Sequence, residues 1–128
     1  MNGEIEFRAW DKKKEKMVNV HGLSGLEKDD SDPFKYITCS EGVIEWKDII
    51  LLQFTGLLDK NGKEIFEGDI LKIYYEGNQR SYLKEVRWLN DAINKGRWDA
   101  LDTCVYTSCE VVGNIFENPE LLAEINNN

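Results

Sequence analysis

The chain has 128 residues, 41% apolar and 31% charged, with 24 acidic side chains against 16 basic ones and a net charge of −8. That balance fits one globular domain, or a small barrel with an extension, and excludes a disordered chain. No apolar run approaches the length of a bilayer span, and Met1-Asn2-Gly3-Glu4 lacks the regions of a secretory signal, so no membrane association and a cytoplasmic location are expected.

Ile5 to Trp10 alternates apolar and polar side chains, the period of a strand with one buried face. Met17-Val18-Asn19-Val20 returns antiparallel after the lysine-rich run Lys12 to Lys16, which reads as a solvated hairpin loop. Residues 21–35 carry Gly22, Gly25, Pro33 and the acidic string Glu27 to Asp32, the composition of a mobile surface loop. Tyr36–Cys39 and Val43–Trp46 are short strands split by Glu41-Gly42. Asp48 starts the apolar run Ile49 to Phe54, which suits a strand buried on both faces; one helical turn leading into a strand is the alternative.

Thr55 to Leu71 is a turn region. Gly56, Asn61, Gly62, Gly68 and Asp69 are its structural turn residues. Asn61-Gly62 most readily takes positive φ at both centres of a tight hairpin. Gly68 is expected at a second turn with positive φ, or in a bulge. Two turns so close together force a sharp corner of the kind small closed barrels need. Ile70–Tyr75, Leu83–Trp88, Arg97–Leu101 and Glu110–Phe116 follow as strands, with Glu76-Gly77-Asn78 as another turn. The chain closes on a helix over 119–125: Asn118 can cap it, Pro119 suits its first position and Glu120 favours its positive end. Leu121, Leu122 and Ile125 would dock it. The fold class is mostly β, with an N-terminal β region over residues 1–47 and a small β-barrel with its helix over 48–128.

Tests for chemistry fail on spacing or on missing partners. Asp59-x-Asn61 resembles the start of a calcium loop, but Gly62 is fourth rather than sixth and Lys63 stands where an oxygen ligand belongs. Asp59, Glu64, Glu67 and Asp69 are read as solvated turn carboxylates. His21 is the only histidine. Cys39, Cys104 and Cys109 have no C-x-x-C spacing and are read as reduced thiols. No catalytic, metal or cofactor residues are assigned. Trp10, Trp46, Trp88 and Trp98 lie near strand ends and read as core or as a protein interface. Trp88 and Trp98 with Arg87 and Arg97 form the candidate interaction surface.

Four blocks resemble the YopX family of bacteriophage and prophage proteins: Phe7-Arg8-Ala9-Trp10-Asp11 with Met17, Leu52 to Leu57, Asp59 to Ile70, and Val111 to Leu121. The resemblance implies an SH3-type architecture for the C-terminal barrel and a phage or prophage origin. It implies no activity, so no functional residues carry over. The leading expectation is a non-enzymatic binding or assembly module for a phage or host protein, with self-association left open. Alternatives are nucleic-acid association through Trp88, Trp98, Arg80, Arg87 and Arg97, which the net charge disfavours, and mimicry of DNA by the acidic loops Glu27 to Asp32 and Asp59 to Asp69. A carboxylate-bound metal enzyme comes last.

Overall fold

A computed structural model describes residues 6–23, 36–75, 80–89, 96–99, 101 and 108–126. The chain divides into two compact units, 1–53 and 54–128. The first unit therefore extends past residue 47, because the start of the next strand pairs back into it. The fold is mostly β with one short C-terminal helix. Among the described residues no helix is long and apolar enough to cross a membrane.

The first unit holds β1 (Phe7–Asp11), β2 (Lys16–Leu23), β3 (Tyr36–Cys39), β4 (Gly42–Glu45) and the first half of β5 (Ile49–Leu58). They pair antiparallel in the order β4-β3-β2-β1-β5. Alternation along β1 buries Ala9 and Asp11. Ala9 sits opposite both Val18 and Leu51 and joins a core of Val18, Ile37, Cys39 and Ile49, with Val20, Ile44, Trp46 and Leu51 packed on it. The β1–β2 turn is held by the Asp11 carboxylate, whose Oδ1 accepts the Lys13 and Lys14 N–H groups at 3.0 and 3.1 Å. Glu15 completes it at φ 53°. The lysines of this loop lean on acidic neighbours: Lys13 on Asp48 at 3.3 Å, Lys14 on Glu41 at 3.8 Å, and Lys16 also on Glu41.

Three expectations change in this unit. His21, Gly22 and Leu23 belong to β2, not to a loop; residues 24–35 lie outside the described residues. The β2–β3 register shifts at Gly22, where a Cβ would stand 2.8 Å from Thr38 Oγ1. Trp46 starts a single 3₁₀ turn, Trp46–Asp48, instead of ending β4, and its indole N–H donates to the Tyr36 carbonyl at 3.2 Å. The 3₁₀ turn precedes the apolar run; Ile49 to Phe54 itself is strand, not the helical turn offered as its alternative. Finally, β5 is not buried on both faces: Ile50 is 40% exposed and Gln53 is exposed. An apolar run permits double burial but does not compel it.

The second unit holds the rest of β5, β6 (Glu64–Phe66), β7 (Asp69–Tyr74), β8 (Ser81–Glu85), β9 (Trp88–Leu89), β10 (Arg97–Trp98), β11 (Cys109–Asn114) and helix α1 (Pro119–Asn126). β7 lies between β11 and β8, β9 pairs with β10, and the end of β5 pairs with β6. Among the described residues these ladders do not close into a barrel. The core is Ile65, Leu71, Ile73, Val86, Leu101 and Cys109, with Tyr82, Trp98 and Val111 against it. Cys39 and Cys109 are free buried thiols, and Cys104 lies outside the described residues. Helix α1 packs against β8.

The turns are built differently from the expected pattern. Gly56 (φ 89°) is not a turn between strands but part of a bulge within β5, where the register shifts between Phe54 and Leu58. Asn61 does not take positive φ: among the described non-glycine residues only Glu15 does. Gly62 alone does so, at 80°. The Gly62 N–H donates to the Asp59 carbonyl at 3.0 Å and the Asp59 N–H to the Lys63 carbonyl at 2.8 Å. That is a three-residue connection with glycine in the left-handed position, not a two-residue turn. The Asp59 carboxylate selects it by accepting the Asn61 and Lys63 N–H groups. Gly68 does have positive φ, 88°. Its N–H donates to Val86, and its carbonyl accepts the Ile115 N–H, both at 2.9 Å.

The last strand stops at Asn114, not Phe116. The Asn114 side-chain oxygen accepts the Phe116 and Glu117 N–H groups at 3.0 and 2.8 Å, which turns the chain into the helix. Asn118 precedes the helix as expected, and its side-chain oxygen accepts the Asn114 N–H at 3.2 Å. β8 ends at Glu85 and β10 covers only Arg97 and Trp98.

Candidate interaction surface

Of the four turn carboxylates, Glu64 is exposed and Glu67 half-buried, but Asp59 and Asp69 are buried, contrary to the solvated reading. Asp59 Oδ1 accepts Asn61 and Lys63 N–H at 2.8 and 2.9 Å, and its Oδ2 accepts the Val111 N–H at 2.9 Å. Burial alone would raise this carboxyl; the N–H groups of Val111, Lys63 and Asn61, with the Lys63 charge, outweigh it and hold it below the usual aspartate range. Asp69 Oδ2 accepts the Phe66 N–H at 2.8 Å. Both side chains organise backbone.

The two nominated tryptophans meet. Trp88 and Trp98 stand directly opposite each other across β9 and β10. Their rings meet edge to face with centroids 4.8 Å apart. Trp98 packs on the core, whereas Trp88 is 48% exposed. Cross-strand aromatic pairs of this kind fix a short ladder and each other's rotamers. Arg87 precedes Trp88, and its guanidinium lies 3.2 Å from Asp99 Oδ2. Lys84 reaches the other oxygen, also at 3.2 Å, and the Asp99 N–H donates to the Arg87 carbonyl at 2.8 Å. Asp99 is thus a buried anchor with two cations on it. The Arg97 side chain lies outside the described residues. Trp10 and Trp46 are half-buried in the other unit.

Sequence reasoning passed over Lys84, Glu85 and Asp99, because a span of 12 to 15 residues gives no local signal of contact. Burial, opposed by the Arg87 charge and reinforced by Asp99 and Glu67, pushes the Glu85 carboxyl above its ordinary value. It also missed Tyr74, whose ring has Lys60 and Lys72 above it at 4.5 and 5.4 Å and whose hydroxyl is 3.5 Å from Glu110. The two-residue spacing of Lys72 and Tyr74, which puts them on one face of a strand, was the only clue in the sequence.

The family model described as YopX protein matches residues 6–123. The chain belongs to the YopX family. No curated protein matches it. Among solved structures it is similar to the crystal structure of protein EF1440 from Enterococcus faecalis, at 32% identity over 93% of this chain and 98% of that one, with a TM-score of 0.64. The YopX match covers both units. Within it, the block from Asp59 to Ile70 is the pair of turns organised by Asp59, Gly68 and Asp69.

Proposed function

We propose that this YopX-family protein is a non-enzymatic binding or assembly module, encoded by a phage or prophage and acting in the bacterial cytoplasm, that uses the Trp88 surface to hold a phage or host protein. The observation that carries this reading is an exposed tryptophan packed edge to face on its cross-strand partner, beside an arginine paired with a buried carboxylate. Trp and Arg are the residues most enriched at interface hot spots, and a preorganised pair loses little entropy on binding. The non-enzymatic part is supported by Asp59 and Asp69, whose carboxylates serve the backbone. An SH3-type architecture for the second unit is part of the proposal, supported by its short strands and by the sharp turns at Gly62 and Gly68.

Nucleic-acid association is the weaker reading because Lys84 and Arg87 are already paired with Asp99 and the chain carries −8 overall. Mimicry of DNA loses Asp59 and Asp69, which face inward; its other loop, Glu27 to Asp32, lies outside the described residues.

The test is co-purification from infected cells, followed by binding of the isolated partner to wild type and to Trp88→Ala. Loss of at least about tenfold in affinity is expected for a hot-spot tryptophan. Circular dichroism and the emission of the remaining tryptophans would verify that the variant is folded. Unchanged affinity in a folded Trp88→Ala protein would reject this surface, and salt-dependent binding to single-stranded DNA would favour the nucleic-acid reading instead.

A further inference from the structure

Asn61 and Gly62 form one of two Asn–Gly steps in the chain; the other is Asn2-Gly3, outside the described residues. Asn–Gly is the dipeptide most prone to spontaneous deamidation, because glycine has no Cβ to obstruct ring closure. In this reaction the Gly62 backbone nitrogen attacks Asn61 Cγ. The Cγ–Nδ2 bond breaks, and ammonia leaves carrying the proton that Gly62 gives up. Water then opens the cyclic imide at either carbonyl, giving aspartate or isoaspartate. The surroundings leave room for it: Asn61 and Gly62 are exposed, and no atom lies within 4 Å of where a Gly62 Cβ would be.

The folded turn nevertheless holds each group that must move. The nucleophile, Gly62 N–H, donates to the Asp59 carbonyl at 3.0 Å. The leaving group, Asn61 Nδ2, donates to Glu110 Oε2 at 3.2 Å. The Asn61 N–H is tied to Asp59 Oδ1 at 2.8 Å, which restricts the rotation that would bring Cγ over Gly62. Reaction therefore needs the turn to open. Once it has occurred, the amide donor facing Glu110 becomes a second carboxylate, and the contact changes from attraction to repulsion.

We propose that Asn61 is a latent modification site, suppressed by the folded turn, whose conversion loosens that turn from β11 and leaves a permanent mark of its opening. The experiment incubates the full-length protein in mildly alkaline buffer and follows aspartate and isoaspartate at position 61 by peptide mapping. A synthetic peptide of residues 57–65 gives the unprotected rate. Asn61 in the protein should convert at least about tenfold more slowly than in the peptide, since the rate scales with the open population. Glu110→Ala, which frees the leaving group and leaves Asp59 in place, should accelerate it severalfold; Asp59→Ala should bring it close to the peptide. Converted protein, separated by ion exchange, should show faster hydrogen exchange at the Val111 amide. A protein rate equal to the peptide rate, no acceleration in Glu110→Ala, or unchanged Val111 exchange after conversion would each overturn the proposal.

Discussion

Replacing Asp59 by Ala removes one carboxylate and leaves three backbone donors without an acceptor. Their fates differ. Asn61 and Lys63 are exposed, so water takes over, and each lost bond costs about 0.5–1 kcal/mol. Val111 is half-buried in β11, and an N–H left unmatched there costs about 1–3 kcal/mol. The sum is roughly 2–5 kcal/mol, a large share of the ~5–15 kcal/mol that holds a domain folded. Asp59→Asn separates charge from geometry. Its one oxygen can still accept the Asn61 and Lys63 groups, but its NH₂ would then face the Val111 N–H, donor against donor, so the Val111 part is still lost. The pH dependence follows from the depressed carboxyl. A carboxylate whose folded value lies below its unfolded one stabilises the fold at pH above the unfolded value, about 3.9, and loses that contribution as pH falls through the folded value. The gap between wild type and Asp59→Ala should thus be constant near neutrality and narrow only in acid. Urea denaturation followed by tryptophan fluorescence measures both. A loss below about 1 kcal/mol at neutral pH, or an Asp59→Asn protein as stable as wild type, would refute the reasoning.

Gly113→Ala should destabilise by about 1–3 kcal/mol, because its Cβ would lie 2.4 Å from Asn118 Oδ1 and 2.8 Å from Asn118 Cγ. Adding Asn118→Ala should recover part of that loss, and a double variant no better than the sum of the two singles would contradict the clash. Gly68→Val should cost a few kcal/mol through backbone strain at φ 88°, seen as a lowered Tm; an unchanged Tm would disprove the strain. Glu85→Gln should stabilise at neutral pH. The raised Glu85 carboxyl is most favourable below its unfolded value of about 4.3 and loses that advantage as pH rises through the folded value, so the gain should vanish in acid. Equal stability of the two proteins across the pH range would sink that assignment.

Much of the architecture was legible in the residues themselves. Period-two alternation located β1, and short apolar segments between turn signals located β2, β3 and β7, to within a few residues; Asn118-Pro119-Glu120 marked the helix start. Positive φ at Gly62 and Gly68 followed from the lack of a Cβ. These are local preferences, set by a few neighbouring dihedrals, so the chain determines them wherever it lies. Tertiary contacts decided the rest. Asp59 is 52 residues from Val111, the residue of β11 that it binds, and it is that long-range bond which buries a side chain that turn chemistry alone would leave in water. Asp99 gathers Lys84 and Arg87 only because β8 and the β9–β10 pair meet there. Trp88 is exposed and Trp98 is not, although both looked alike as aromatics near strand ends. Burial and charge pairing are properties of the packed chain, and no short window of sequence contains them.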